Sequence, residues 1–176
     1  MTETVKTIYT LGHSTRSLEE FLDLLRMHGV QRILDVRSLP GSRRYPHFNS
    51  EALKDSLAQA GIDYRHLPGL GGRRKVRADS KNTGWRHPAF RGYADYMASA
   101  EFSLALQEAM DLAAERPSAL LCAEAVPWRC HRSLIGDAFL IRGWQVLDII
   151  GPAKPHPHQL TDFAKVEGEQ VSYPSG

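Results

Sequence analysis

The chain has 176 residues, 42% of them apolar and 24% charged, with a formal net charge of +2. That length suits one domain able to bury its own core without staples. Two cysteines exclude a disulfide scaffold, and no stretch approaches the roughly 20 apolar residues that span a bilayer. The N-terminus, Met1 to Thr10, carries Lys6 and lacks the continuous apolar run of an export signal. A reducing, cytoplasmic setting without membrane contact is therefore expected.

Short apolar runs alternate with longer amphipathic ones. Val5 to Leu11 reads as a strand and leads through Gly12-His13-Ser14 to a helix from Ser17 to about His28. Ser17 with Glu20 three positions on makes a capping box, Leu18, Phe21, Leu22 and Leu25 make the apolar stripe, and Gly29 ends it. Arg32 to Val36 is the second strand, Ser50 to Ala60 the second helix with Gly61 as its stop, and Ile62 to Leu67 the third strand.

From Arg65 to Arg91 eight cations (Arg65, Arg73, Arg74, Lys75, Arg77, Lys81, Arg86 and Arg91) face one acid, Asp79. With Gly69, Gly71, Gly72 and Gly84 among them, this segment reads as a long, exposed, mobile basic loop. It is either simply solvated or an electrostatic clamp for a polyanion or phosphorylated ligand, with Arg73 and Arg74 as contacts and Trp85 and His87 as stacking surfaces.

Pro88 to about Ala100 and Glu101 to Glu115 read as helices, Ala119 to Cys122 as the fourth strand, His131 to Arg142 as a helix closed by Gly143, and Gln145 to Ile150 as the fifth strand. Beyond Gly151, with Pro152, Pro155 and Pro157, periodicity ends and a loosely attached irregular tail is expected over 151–176. The order implies a single α/β domain over 1–150, a mainly parallel sheet of about five strands flanked by helices, with a long basic loop inserted.

In such sheets ligands bind beyond the carboxyl ends of the strands. Gly12-His13-Ser14, Asp35 and Arg37, His66, and Cys122 with Glu124 all fall there. The expectation is that His13, Asp35, Arg37, Glu124 and Arg132 converge on one pocket.

Cys130-His131-Arg132 opens a helix, where free N–H groups and the macrodipole lower a thiol's pKa and attract anions. Cys130 is the candidate nucleophile, flanked by Arg129, His131 and Arg132, and Arg132 the candidate clamp on an oxyanion or phosphate. The fuller loop of cysteine phosphatases, a cysteine and an arginine with five residues between them, is missing. Cys122 reads as a buried strand cysteine. The seven residues between the cysteines argue against a zinc module and against a Cys-x-x-Cys redox pair.

Asp35-Val36-Arg37 through Arg43-Arg44 leaves two readings open. The acid and its arginines pair internally, or Asp35 acts as a base or orients His13 while Arg37 and Arg43 meet an anion. Ser14 stands where it would add a contact to that anion, and Glu124 is either an acid or base or the partner of Arg132.

Several of these segments together resemble the domain-of-unknown-function 488 family of small bacterial and archaeal proteins. They are Thr10-Leu11-Gly12-His13-Ser14, Asp35-Val36-Arg37 through Pro40 and Ser42-Arg43, Phe48-Asn49, Tyr64-Arg65-His66-Leu67-Pro68 with Leu70-Gly71-Gly72, Leu121-Cys122-Ala123-Glu124 and Cys130-His131-Arg132. The resemblance implies an α/β domain and a site built from these motifs. It implies no reaction. The family pattern often carries a histidine in the final strand, where this chain has Asp148.

Two readings follow, and a third stands behind them. One is an enzyme acting on a phosphate-bearing or nucleic-acid substrate, with Cys130, His131, Glu124, Asp35 and His13 as reactive candidates and Ser14, Arg37, Arg43, Arg132, Arg73 and Arg74 as anion contacts. The other is a non-catalytic nucleic-acid or nucleotide binding module. The third is a thiol redox or metal-binding protein. The residues single out no cofactor and no oligomeric state.

Overall fold

Period-two alternation sets the sheet. In β1 (Thr7–Gly12) Ile8 and Leu11 point to opposite faces, as do Ile33 and Leu34 of β2 (Arg32–Asp35) and Leu120 and Leu121 of β4 (Ser118–Cys122). With β3 (Asp63–His66), β5 (Gln145–Ile149) and a short β6 (His156–Pro157) they form a six-stranded sheet in the order β3-β2-β4-β1-β5-β6. Every pairing is parallel except β5 with β6. The structure is a computed structural model and describes residues 5–41, 44–126 and 130–175.

From β1 the chain moves through β2 to β3, then returns through β4 to β5. Right-handed crossovers put the helices of the outward path on one face and those of the return path on the other. Accordingly α1 (Leu18–Met27) and α2 (Ser50–Gln59) pack Phe21, Leu25, Leu53 and Leu57 on Leu11, Ile33 and Leu121. On the opposite face α3 (Pro88–Tyr96), α4 (Ala100–Glu115) and α5 (Arg132–Leu140) pack Tyr93, Phe102, Leu106 and Phe139 on Ile8, Leu34 and Val146. The domain is mixed α/β, as the alternation predicts. Ser17 and Glu20 form the capping box, and Gly29, Gly61 and Gly143 leave their helices at φ of 69°, 75° and 86°. Among the described residues, no helix is long and apolar enough to cross a membrane.

Two expectations are corrected. The basic segment is not a free loop along its whole length: Arg65 belongs to β3 and Arg91 to α3, and one 3-10 turn, Pro68–Leu70, lies between them. The irregular stretch between is fastened by Asp95, a buried acid of α3. Its carboxylate accepts hydrogen bonds from Arg77 N (2.9 Å), Ser80 Oγ (2.6 Å) and Asn82 Nδ2 (2.7 Å). Two of the eight cations also pair locally, Arg65 with Asp63 and Arg77 with Asp79.

The tail is not loose either. It adds β6 to the sheet edge and forms a hairpin of β7 (Lys165–Glu167) and β8 (Gln170–Ser172). It then buries Tyr173 completely in the second core. Asn82 Oδ1 accepts from Tyr173 N at 2.9 Å, so the basic stretch and the tail hold each other.

Candidate functional site

Strand β4 lies between β1 and β2, and the helix it feeds lies on the face opposite to theirs. At such a switch point the outgoing turns diverge and leave a crevice above the carboxyl ends. That crevice is a cleft of about 600 Å3, lined by His13 and Ser14 after β1, Arg37 and Ser38 after β2, and Cys122 and Glu124 at the end of β4. Gly12 permits the close approach of the turns. A Cβ there would sit 1.5 Å from the Glu124 carbonyl oxygen. Backbone pairing therefore continues past the strand ends, with His13 N donating to Cys122 O (3.0 Å) and Ser14 N to Ala123 O (2.9 Å).

Arg37 is braced from below. Asp35, fully buried, accepts from Arg37 Nε (2.9 Å), Nη2 (2.7 Å) and the Arg37 backbone N (3.1 Å), and Tyr64 OH donates to it at 2.5 Å. Burial works against the guanidinium's charge, and the Asp35 carboxylate outweighs it and holds the Arg37 pKa above its usual value. Burial and Asp35 together push the Tyr64 phenol up, so it stays a donor. With all of these contacts Asp35 braces Arg37, so of the two readings of this segment the internal pair is the arrangement observed. Arg37 Nη1 has no partner among the described residues and is the nitrogen left for a ligand.

His13 stacks on Phe48, with ring centroids 4.4 Å apart and planes 22° from parallel. Burial lowers its pKa, so the ring is neutral near pH 7. Nδ1 lies 2.9 Å from the Ser14 carbonyl, which only accepts, so the proton is on Nδ1 and Nε2 is a free base. His131 follows the same logic at the other wall. Its Nε2 donates to Val36 O at 2.8 Å, burial keeps it neutral, and Nδ1 is left as an acceptor 3.4 Å from Cys130 Sγ.

The thiols exchange the roles expected of them. Helix α5 begins at Arg132, and its guanidinium turns inward to strand β4. Nη1 donates to Cys122 Sγ (3.2 Å) and to Glu124 O (3.3 Å). For Cys122, burial raises the pKa, but a hydrogen bond from the Cys130 thiol and the Arg132 charge overcome it, and the net shift is downward. Cys130 goes well up, because it donates to Cys122 and is itself buried. The lowered thiol pKa thus falls to Cys122 and not to Cys130, and the Arg132 guanidinium lies wholly buried beside it.

Of the remaining candidates, Ser14, Arg73 and an exposed Glu124 line the cleft, joined by Arg44, Tyr45 and Gly72. Glu124 meets Arg132 through its backbone carbonyl. Arg74 points elsewhere, stacked 3.7 Å above the Tyr96 ring with Nε donating to Gly71 O. Arg43 and Arg129 lie outside the described residues. Tyr64 and Phe48 entered the sequence reading only as parts of the resemblance motifs, without a role of their own. Their signal was an aromatic inside a strand or a short turn, which reads as core.

An open, mainly parallel α/β sheet with a polar cleft at its switch point defines the class of this protein. Residues 17–139 match the family described as domain of unknown function DUF488, so the chain belongs to that family. Neither a search of curated proteins nor a search of solved structures found a match.

Proposed function

We propose that the chain is an enzyme acting on a phosphate-bearing substrate held in this cleft. The observation that carries the reading is Arg37, locked by a bidentate carboxylate so that one guanidinium edge is fixed toward the cleft. A preset guanidinium meets phosphate oxygens with little loss of side-chain freedom. Arg44 and Arg73 at the wall against the single acid Glu124 give the cleft a positive excess. Neutral His13, with Nε2 unprotonated, suits a general base that takes a proton from an attacking water or hydroxyl. The arginines would neutralise charge gathering on the phosphate oxygens as the bond is made.

Calorimetric titration tests this with inorganic phosphate, pyrophosphate, nucleotides and short single-stranded RNA or DNA. Each charged hydrogen bond is worth roughly 1.5–3 kcal/mol, so Arg37→Lys, which keeps the charge and loses the fork, should weaken phosphate binding about tenfold or more. Equal affinity for all probes in the wild type and in Arg37→Lys rejects the reading. Preference for the polynucleotides, with a steep salt dependence, makes nucleic acid the substrate class.

A further inference from the structure

We propose that Cys122 and Cys130 form a peroxide-reactive dithiol at the floor of the cleft, in which Cys122 takes the oxygen and Cys130 closes the disulfide. This stands independently of phosphate binding.

The argument starts from Arg132. A guanidinium cannot lose its proton in a protein, and burying its charge without a partner costs several kcal/mol. Arg132 is 0% exposed and forms no ion pair with a carboxylate among the described residues. The acidic side chain it touches is the Cys122 thiol, 3.2 Å from Nη1. Charge balance therefore places a thiolate on Cys122, in agreement with the direction of its pKa. Arg132 Nε and Nη2 are buried without any partner. A guanidinium with spare donors beside a sulfur is equipped for an added negative oxygen.

Cys130 supplies the second half. Its sulfur lies against Cys122, and both line the cleft that a small oxidant enters. His131 Nδ1, forced to be an acceptor by the bond from Nε2 to Val36 O, waits 3.4 Å from Cys130 Sγ. The Cys122 thiolate attacks the terminal oxygen of a hydroperoxide, the O–O bond breaks, and the alkoxide or hydroxide leaves as alcohol or water with a solvent proton. Cys122 is then a sulfenic acid. Cys130 passes its proton to His131 and attacks the Cys122 sulfur. The S–O bond breaks, the departing hydroxide takes that proton as water, and a disulfide remains. Two thiols are oxidised by two electrons and one peroxide is reduced.

The test is hydrogen peroxide added to the reduced full-length chain, with intact mass and thiol content followed over time. The wild type is expected to lose both thiols to an intramolecular disulfide, with a mass loss of two hydrogens. In Cys130→Ser, Cys122 is expected to halt as a sulfenic acid captured by a dimedone probe. In Cys122→Ser, Cys130 should react at least about tenfold more slowly than Cys122 does in Cys130→Ser, given its smaller thiolate fraction. Retention of both thiols in the wild type overturns the proposal, as does a disulfide between chains or equal reactivity of the two single variants. No phosphate ligand enters the measurement, so its failure leaves the proposed function standing, and the converse holds.

Discussion

His158 Nε2 lies 3.0 Å from Asp137 Oδ1, an ion pair that ties the C-terminal tail to helix α5. The other ring nitrogen, Nδ1, is 3.1 Å from Asp148 Oδ2 in β5. Both acids are buried, and each has further donors, Thr161 and Tyr173 on Asp137 and Thr10 on Asp148. At Asp148 in β5 the imidazole thus arrives from the tail.

That arrangement makes stability depend on pH. Burial opposes the charge on His158, but Asp137 and Asp148 prevail and raise its pKa to about 9. A group whose pKa is raised on folding stabilises fully below its unfolded value near 6.5 and loses that contribution as pH climbs through 9. Denaturant unfolding should therefore weaken between those limits by an amount on the order of 3 kcal/mol, at about 1.4 kcal/mol per unit. His158→Gln should flatten the slope. An equal slope in wild type and variant would assign it to other groups.

A methyl group should be ruinous at Gly12 and nearly neutral at Gly41. At Gly12 the new Cβ would sit 1.5 Å from the backbone oxygen of Glu124 and 2.4 Å from its carbon, while at Gly41 it meets nothing within 4 Å. Gly12→Ala should cost more than about 4 kcal/mol, or abolish folding, and Gly41→Ala should stay within roughly 0.5 kcal/mol. Melting temperatures of the purified variants decide it.

Asp35→Asn should uncover what the acid contributes. It leaves Arg37, only 8% exposed, without its counter-charge. Breaking a buried pair from one side costs roughly 3–5 kcal/mol, and that loss is expected in chemical denaturation. A change below about 1 kcal/mol would mean that water reaches Arg37 far better than its burial implies.

The sheet and its helices were readable because their signals are local: alternation in β1, β2 and β4, a capping box at Ser17, and glycine stops at 29, 61 and 143. Assigning residues to strand ends also placed His13, Arg37 and Glu124 at one cleft. What stayed hidden was set by side-chain direction and by long-range partners. Nothing local tells that Arg132 turns back to Cys122 and so moves the negative charge from one cysteine to the other. Nor does the tail announce itself. Its strands have two or three residues, too short for a period, and His158 meets Asp137 across 21 positions. The basic segment misled because one buried acid, Asp95, organises it from the next helix.

Arg73 and Arg74 are adjacent and alike in sequence, yet only one faces the cleft. Arg73 has φ of 60°, a left-handed conformation that reverses the chain there. It lines the cleft, while Arg74 lies flat on the Tyr96 ring and donates to Gly71 O and Pro68 O. If phosphate is bound in the cleft, Arg73→Gln should weaken pyrophosphate binding by about two- to fivefold, the range for an exposed charge at a rim. It should barely change stability. Arg74→Gln should do the reverse, losing about 1 kcal/mol from the stacked pair while affinity holds. Calorimetric titration and melting curves on the two variants separate these outcomes. Equal losses of affinity would show a diffuse positive field acting in place of a defined contact.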